Sequence, residues 1–279
     1  MTHLTQMSRL SIVVMAVAFT AGYNSDKDIA PSKEGAPAGE LVVFAAASLN
    51  DAFGAIAKDF GTKYPGVDVK LNFAGSQSLR TQIENGAQPQ VFASANAKHI
   101  KALHDKQLVD EPTIFVHNEL VIVAPAHNPV GISALSDLPK ARRLVVAGPT
   151  VPAGSYTETM LDNASSASSG YGADFADRVK ERVVSQETHV RQALQKVLLG
   201  EADAAIVYAT DAASVGNKVK TIPIPRQYNV IASYPMAAVS GTPGSHLGQL
   251  FIEFVLSDVG RARLTDFGFR PADAKAEGR

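Results

Sequence analysis

The chain has 279 residues, 46% apolar and 19% charged, with no cysteine and a formal net charge of −1. This is the composition of a folded globular protein with room for two domains, and it excludes a disordered chain. It also excludes disulfides, thiolate chemistry and Cys-ligated zinc, and without a Lys/Arg run it leaves no electrostatic footprint for nucleic acid.

From the N-terminus, Arg9 precedes an apolar run over residues 10–21, too short to span a bilayer but of the length of a signal-peptide core. Residues 1–22 are therefore expected to be a signal peptide and the protein to be periplasmic or otherwise extracytoplasmic. The run ends in Thr20-Ala21-Gly22-Tyr23, like a bacterial lipoprotein signal in which Tyr23 stands where the lipid-bearing cysteine would be, which argues against a lipid anchor. Residues 23–39 carry Ser, Lys, Asp, Pro and Gly without apolar periodicity and read as a flexible tether.

Residues 41–44 are a continuous apolar run suited to a strand buried on both faces. In residues 49–63, Ala52, Phe53, Ile56, Ala57 and Phe60 recur on one side of a 3.6-residue repeat, which predicts an amphipathic helix closed before Pro65-Gly66. Ser48 sits at the junction, where a helix start presents unpaired backbone N–H groups and the positive end of the helix dipole. With Asp51 three residues on, Ser48 also fits a plain N-cap in a near capping box.

Residues 67–73 alternate as a second strand, Ala74-Gly75-Ser76-Gln77-Ser78 breaks it, and residues 79–85 form a short helix with Ser78 as a candidate N-cap. Residues 91–94 read as a strand, 97–106 as a helix and 120–124 as a buried strand. This β-α-β-α-β order predicts a mostly parallel sheet with helices on both faces. The pattern then restarts, with a short helix over 133–138, a strand over 144–147 and Val151-Pro152-Ala153-Gly154 opening a third long helix. Residues 165–172 read as a surface loop. Thr188 is expected to cap a helix whose apolar side is Val190, Ala193, Leu194, Val197 and Leu198, and residues 204–208 form the strand that follows. An extended return over 230–239 and two amphipathic helices close the chain.

Seven histidines occur without metal-ligand spacing, no G-x-S-x-G surrounds Ser48, and no G-x-x-x-x-G-K-[ST] loop is present. No catalytic residue, metal ligand or cofactor is expected. What remains is a set of strand-to-helix junctions at Ser48, Ser76, Ala153 and Val190, drawn from both halves of the chain. At roughly +0.5 charge per helix start, four would balance a dianion without a Lys or Arg, and Tyr208 would add a phenolic donor.

Phe44-Ala45-Ala46-Ala47-Ser48-Leu49 resembles the signature of the periplasmic molybdate-binding proteins of ABC importers, a type II substrate-binding protein family. Phe73-Ala74-Gly75-Ser76, Val151-Pro152-Ala153-Gly154, His189-Val190-Arg191, Ile206-Val207-Tyr208 and Gly268-Phe269 fall in the same order, so the likeness covers about residues 40–269. It implies an α/β, two-lobed periplasmic-binding-protein-like fold with two mixed, mostly parallel sheets and two crossovers. Lobe one would hold residues 40–119 plus 234–279 and lobe two residues 120–233. The resemblance further implies a monomer that holds molybdate or tungstate through Ser48, Ser76, the backbone N–H groups of Ala153 and Val190, and the Tyr208 hydroxyl, and passes it to permease subunits of an importer. Gln90 and Asn96 depart from aspartates usual in that family, and Gly75 from a commoner serine. The alternatives are binding of another oxyanion such as sulfate or phosphate, a phosphate or sulfate ester hydrolase, and the ligand-sensing domain of a transcription regulator. Asp51, Glu187 and Asp211 lie near the proposed segments, and one turned inward would supply the acceptor that a protonated phosphate needs.

Overall fold

The computed structural model describes residues 35–166 and 170–272. The expected signal peptide, Tyr23 and most of the tether lie outside the described residues. Strand β1 (Ala38–Ala46) begins inside the expected tether and lies between two parallel neighbours, β2 (Gly66–Ala74) and β3 (Val91–Ala93). Its apolar run explains the position, since Leu41, Val43 and Ala45 are fully buried.

The long strand β4 (Thr113–Pro125) belongs to two sets of strands. Its first half pairs antiparallel with β9 (Ile231–Ala238) and β10 (Arg270–Pro271), beside β3 and β1. Its second half pairs antiparallel with β7 (Ala204–Tyr208) and β8 (Val219–Pro223). Beyond β7, β5 (Leu144–Ala147) and β6 (Val183–Glu187) continue in parallel. Parallel pairing is thus confined to the outer strands, and the switch between sets falls where Glu119 pairs with Ile231 and Leu120 with Tyr208. The chain returns across the same line through residues 224–230. There the Asn229 side chain bonds both the N–H (3.3 Å) and the carbonyl (2.9 Å) of Leu120, taking the place of a strand partner.

Helices cover both faces. On one, α1 (Asn50–Lys63) buries Ala52, Phe53, Ile56 and Phe60, with Phe53 and Phe60 edge-on to Phe251 of α8 (Ser245–Leu256). On the other, α2 (Ser76–Glu84) and α3 (Ala97–His104) cover a smaller cluster of Phe44, Leu79, Ile83, Phe92, Ile100 and Leu103. The second set of strands carries α4 (Pro152–Ala164), α5 (Phe175–Lys180), α6 (Val190–Leu198) and α7 (Ala209–Val215), and α9 (Asp258–Asp266) is the last helix, followed by β10.

Two helix starts differ from expectation. Helix α2 starts at Ser76, three residues early, because Gly75 is extended (φ −64°, ψ 138°) and makes the turn itself, so Ser78 lies inside the helix and caps nothing. Residue 188 is not the cap of α6: His189 holds that position, and the Thr188 hydroxyl donates instead to Gln192 Oε1 at 2.7 Å. The first half of β4 and the elements α5, β6, α7 and β8 were not anticipated. Each is short or half-exposed, so its apolar positions show neither a long run nor a sustained period.

Candidate anion-binding site

After β1 the chain makes a 3-10 turn, Ala47–Leu49, that runs into α1, and Ser48 lies within this turn at 3% exposure. Its hydroxyl does not cap the helix. Ser48 Oγ sits 2.9 Å from the hydroxyl of Tyr234, and Asn118 Nδ2 lies 3.5 Å from the same hydroxyl. Burial pushes the Tyr234 hydroxyl far above the ordinary tyrosine range, so it keeps its proton. Either hydroxyl can donate in this bond, and with Tyr234 as the donor the Ser48 hydrogen is free for a guest. Ser76 is the first residue of α2 and 1% exposed; its oxygen accepts the Ala95 N–H at 3.0 Å, so its own hydrogen is also free.

The start of α4 offers backbone only. Val151 is the N-cap, Pro152 has no N–H, and Ala153 is the first donor of the helix. A Cβ on Gly154 would collide with the carbonyls of Ala147 and Gly148, so this helix start is pressed onto the end of β5 as only glycine allows. Helix α6 begins at Val190 after the extended His189. Tyr208 ends β7 at 1% exposure, and among the described residues its buried hydroxyl has only the neighbouring Tyr234 hydroxyl for company, without a well-aligned hydrogen bond. Burial first, and then the neighbouring Tyr234, push its ionisation far up, so it stays a donor.

None of these four starts carries a side-chain cap. All five expected residues, Ser48, Ser76, Ala153, Val190 and Tyr208, line one cavity. The cavity is small, with about 210 Å³ of space between atoms. That suits one compact inorganic group, whereas drug-sized organic ligands occupy roughly 300–1,000 Å³.

Among the described residues, the lining holds no carboxylate, lysine or arginine. Asp51 and Asp211 turn to Arg191, and Glu187 accepts from Ser185 Oγ at 2.6 Å, so none of the three carboxylates that could have entered the cavity does so. Sequence reasoning missed His189, which lines the cavity with a buried, unpartnered Nδ1; burial lowers its pKa and keeps the ring neutral at pH 7. It also missed three contacts that tie the two strand sets together around the cavity. Gln77 Nε2 donates to the Thr188 carbonyl at 2.8 Å, His99 Nε2 to the Thr150 carbonyl at 2.9 Å and Arg191 Nη2 to Asp51 Oδ2 at 2.7 Å. Such contacts join residues far apart in the chain, and no local spacing announces them.

The profile of the bacterial extracellular solute-binding proteins matches residues 41–270. The chain belongs to that family. Within it, the chain is similar to a Mycobacterium tuberculosis protein, strain H37Rv, named molybdate-binding protein ModA, at 36% identity over 262 residues, 93% of this chain and 95% of that protein. The protein of the same name from Haemophilus influenzae is 34% identical over 247 residues, 84% of this chain and 91% of the other. Among solved structures, the Azotobacter vinelandii periplasmic molybdate-binding protein superposes with a TM-score of 0.71 at 19% identity, over 82% of this chain and 98% of that one. At that identity the structural likeness speaks for the fold alone. The likeness expected from the motifs is therefore borne out over nearly the whole chain, and this solute-binding protein shares its fold with a protein that holds an oxyanion.

Proposed function

We propose that this solute-binding protein captures molybdate in the cavity between its two strand sets and delivers it to the permease of an ABC importer. One observation carries the reading: four uncapped helix starts and a buried tyrosine hydroxyl converge on a space the size of a small inorganic ion. Its relatives named molybdate-binding protein support molybdate as the ion. Ser48, Ser76, Ala153, Val190 and Tyr208 each donate to an oxygen of the anion, and the protein binds without catalysis or a cofactor. A fully deprotonated tetrahedral dianion satisfies those donors with its oxygens alone.

Tungstate, alike in charge and size, binds as well. Phosphate near neutral pH keeps a proton, and burying that proton without an acceptor costs about 1–3 kcal/mol. Sulfate carries the right charge and is excluded by its smaller radius. The lobes of residues 40–119 plus 234–279 and 120–233 close on the ion by a hinge at Glu119–Leu120 and residues 224–230. The protein works outside the cytoplasmic membrane as a monomer, exported by residues 1–22.

A competition titration of the purified protein with molybdate, tungstate, sulfate and phosphate tests this. Molybdate and tungstate should displace each other, with sulfate and phosphate far weaker. Tight sulfate or phosphate binding without a response to molybdate would overturn the assignment.

A further inference from the structure

Arg191 stands where three elements of the cavity wall meet. It follows Val190 in the first turn of α6, and its Nη2 donates to Asp51 Oδ2 at 2.7 Å on α1, three residues beyond Ser48. Its Nε faces Asp211 Oδ1 at 2.5 Å on α7, and the other Asp211 oxygen accepts the Tyr208 N–H at 3.3 Å. Nη1 donates to Ser214 Oγ at 3.1 Å. One guanidinium thus touches the segments that carry Ser48, Val190 and Tyr208.

The two carboxylates are not equivalent. Asp211 is fully buried, lies on the same side of the β4 crossing as Arg191, and keeps its partner whatever the cleft does. Asp51 lies across the cleft with its side chain 37% exposed, so when the cleft opens it returns to water at little cost. We propose that Asp51 is a positioning residue whose bond to Arg191 latches the cleft shut and sets how long a bound anion stays. This rests on the reading of the cavity as an oxyanion site closed by a hinge. A contact made only in the closed state slows release and leaves encounter unchanged, because the anion enters before the latch forms.

Removing Arg191 is the wrong test, since it would leave Asp211 as an uncompensated buried charge and endanger the fold. The test is Asp51→Asn, with Asp51→Ala beside it, followed by stopped-flow tyrosine fluorescence with molybdate. Release should accelerate about tenfold and association should be unchanged. Added salt should speed release from the parent more than from D51N, because only the parent has the ion pair to screen. The ligand-free melting temperature should stay within about 3 °C, since Asp51 otherwise contributes only a charge near the start of α1. Equal release rates in parent and D51N overturn the latch, as does a large loss of ligand-free stability with release unchanged. If the parent binds no oxyanion at all, the functional reading falls and the latch with it; binding with equal release rates sinks the latch alone.

Discussion

Helix starts at the cavity differ from the starts of α3 and α9. Asn96 Oδ1 accepts the His99 N–H at 3.3 Å and Ser257 Oγ accepts the Gly260 N–H at 3.4 Å, so these two helices satisfy donors of their own first turns. The turn after β1 and the starts of α2, α4 and α6 have no such cap, although capping residue types are at hand. Ser48 is turned to Tyr234, Ser76 receives from Ala95 and Thr188 is held by Gln192. A hydroxyl engaged elsewhere cannot close its own helix, so first-turn N–H groups stay available, and these four starts face one cavity, while the equally uncapped starts of α5 and α8 lie away from it. The same chemistry that elsewhere stabilises the fold is here reserved for a guest.

The sharpest way to break this contrast is Ser48→Ala. Losing a hydrogen bond to a charged group costs about 1.5–3 kcal/mol, so molybdate affinity should fall by roughly one to two decades in a calorimetric titration. Because Ser48 also bonds the buried Tyr234, the ligand-free protein should lose about 1 kcal/mol as well. Equal affinity in mutant and parent would remove Ser48 from the cage.

Tyr208→Phe separates guest from fold more cleanly. Its hydroxyl is buried with no well-aligned hydrogen bond among the described residues, so removing it should shift the ligand-free melting temperature little, while affinity drops by roughly tenfold. A lower melting temperature with unchanged affinity would show that the hydroxyl serves the fold.

The capped starts should answer in the opposite sense. Asn96→Ala and Ser257→Ala should each cost about 1 kcal/mol of stability in thermal melts and leave anion affinity unchanged. A loss of affinity without a loss of stability in either would erase the distinction.

The smallest effect concerns a third satisfied start, that of the short 3-10 helix Leu135–Lys140. Asp137 Oδ2 accepts the N–H groups of Ser133 (2.9 Å) and Ala134 (3.1 Å) and the Ser133 hydroxyl, while Oδ1 takes Lys140 at 2.7 Å. The Lys140 bond first, and then those to Ser133, hold its carboxyl well below the usual aspartate range. A carboxyl depressed in the folded state adds stability above its unfolded pKa of about 3.9 and loses it as pH falls toward the folded value. The stability gap between parent and Asp137→Asn should therefore be widest near neutral pH and narrow in acid, as denaturant titrations at several pH values would show. A gap that does not change with pH would mean the carboxylate charge is not what matters.

How much of this was legible in the sequence follows from range. The bare starts announce themselves locally: an apolar run passing into a 3.6-residue repeat at Ser48, or Pro152 in a first turn, marks a strand-to-helix junction wherever it occurs. That these junctions share a cavity was supplied by the family resemblance, since no spacing within the chain brings residue 48 to residue 190. The contacts that hold the arrangement were invisible for the same reason. Tyr234 reaches Ser48 across 186 positions and Asp51 reaches Arg191 across 140, and neither pair leaves a trace in local periodicity. The first half of β4 escaped notice because Thr113 and Ile114 are exposed and His117 and Glu119 half-buried, so its pattern reads as a polar loop.

The central claim, that the uncapped helix starts are the anion site, is tested most directly by a crystal structure of the protein grown with tungstate, whose metal is located by anomalous scattering. The tungsten should appear as one strong peak in the cavity, with its oxygens within hydrogen-bond distance of the Ser48 and Ser76 hydroxyls, the Ala153 and Val190 N–H groups and the Tyr208 hydroxyl. A fully occupied peak elsewhere, with the cavity filled by water, would contradict the account.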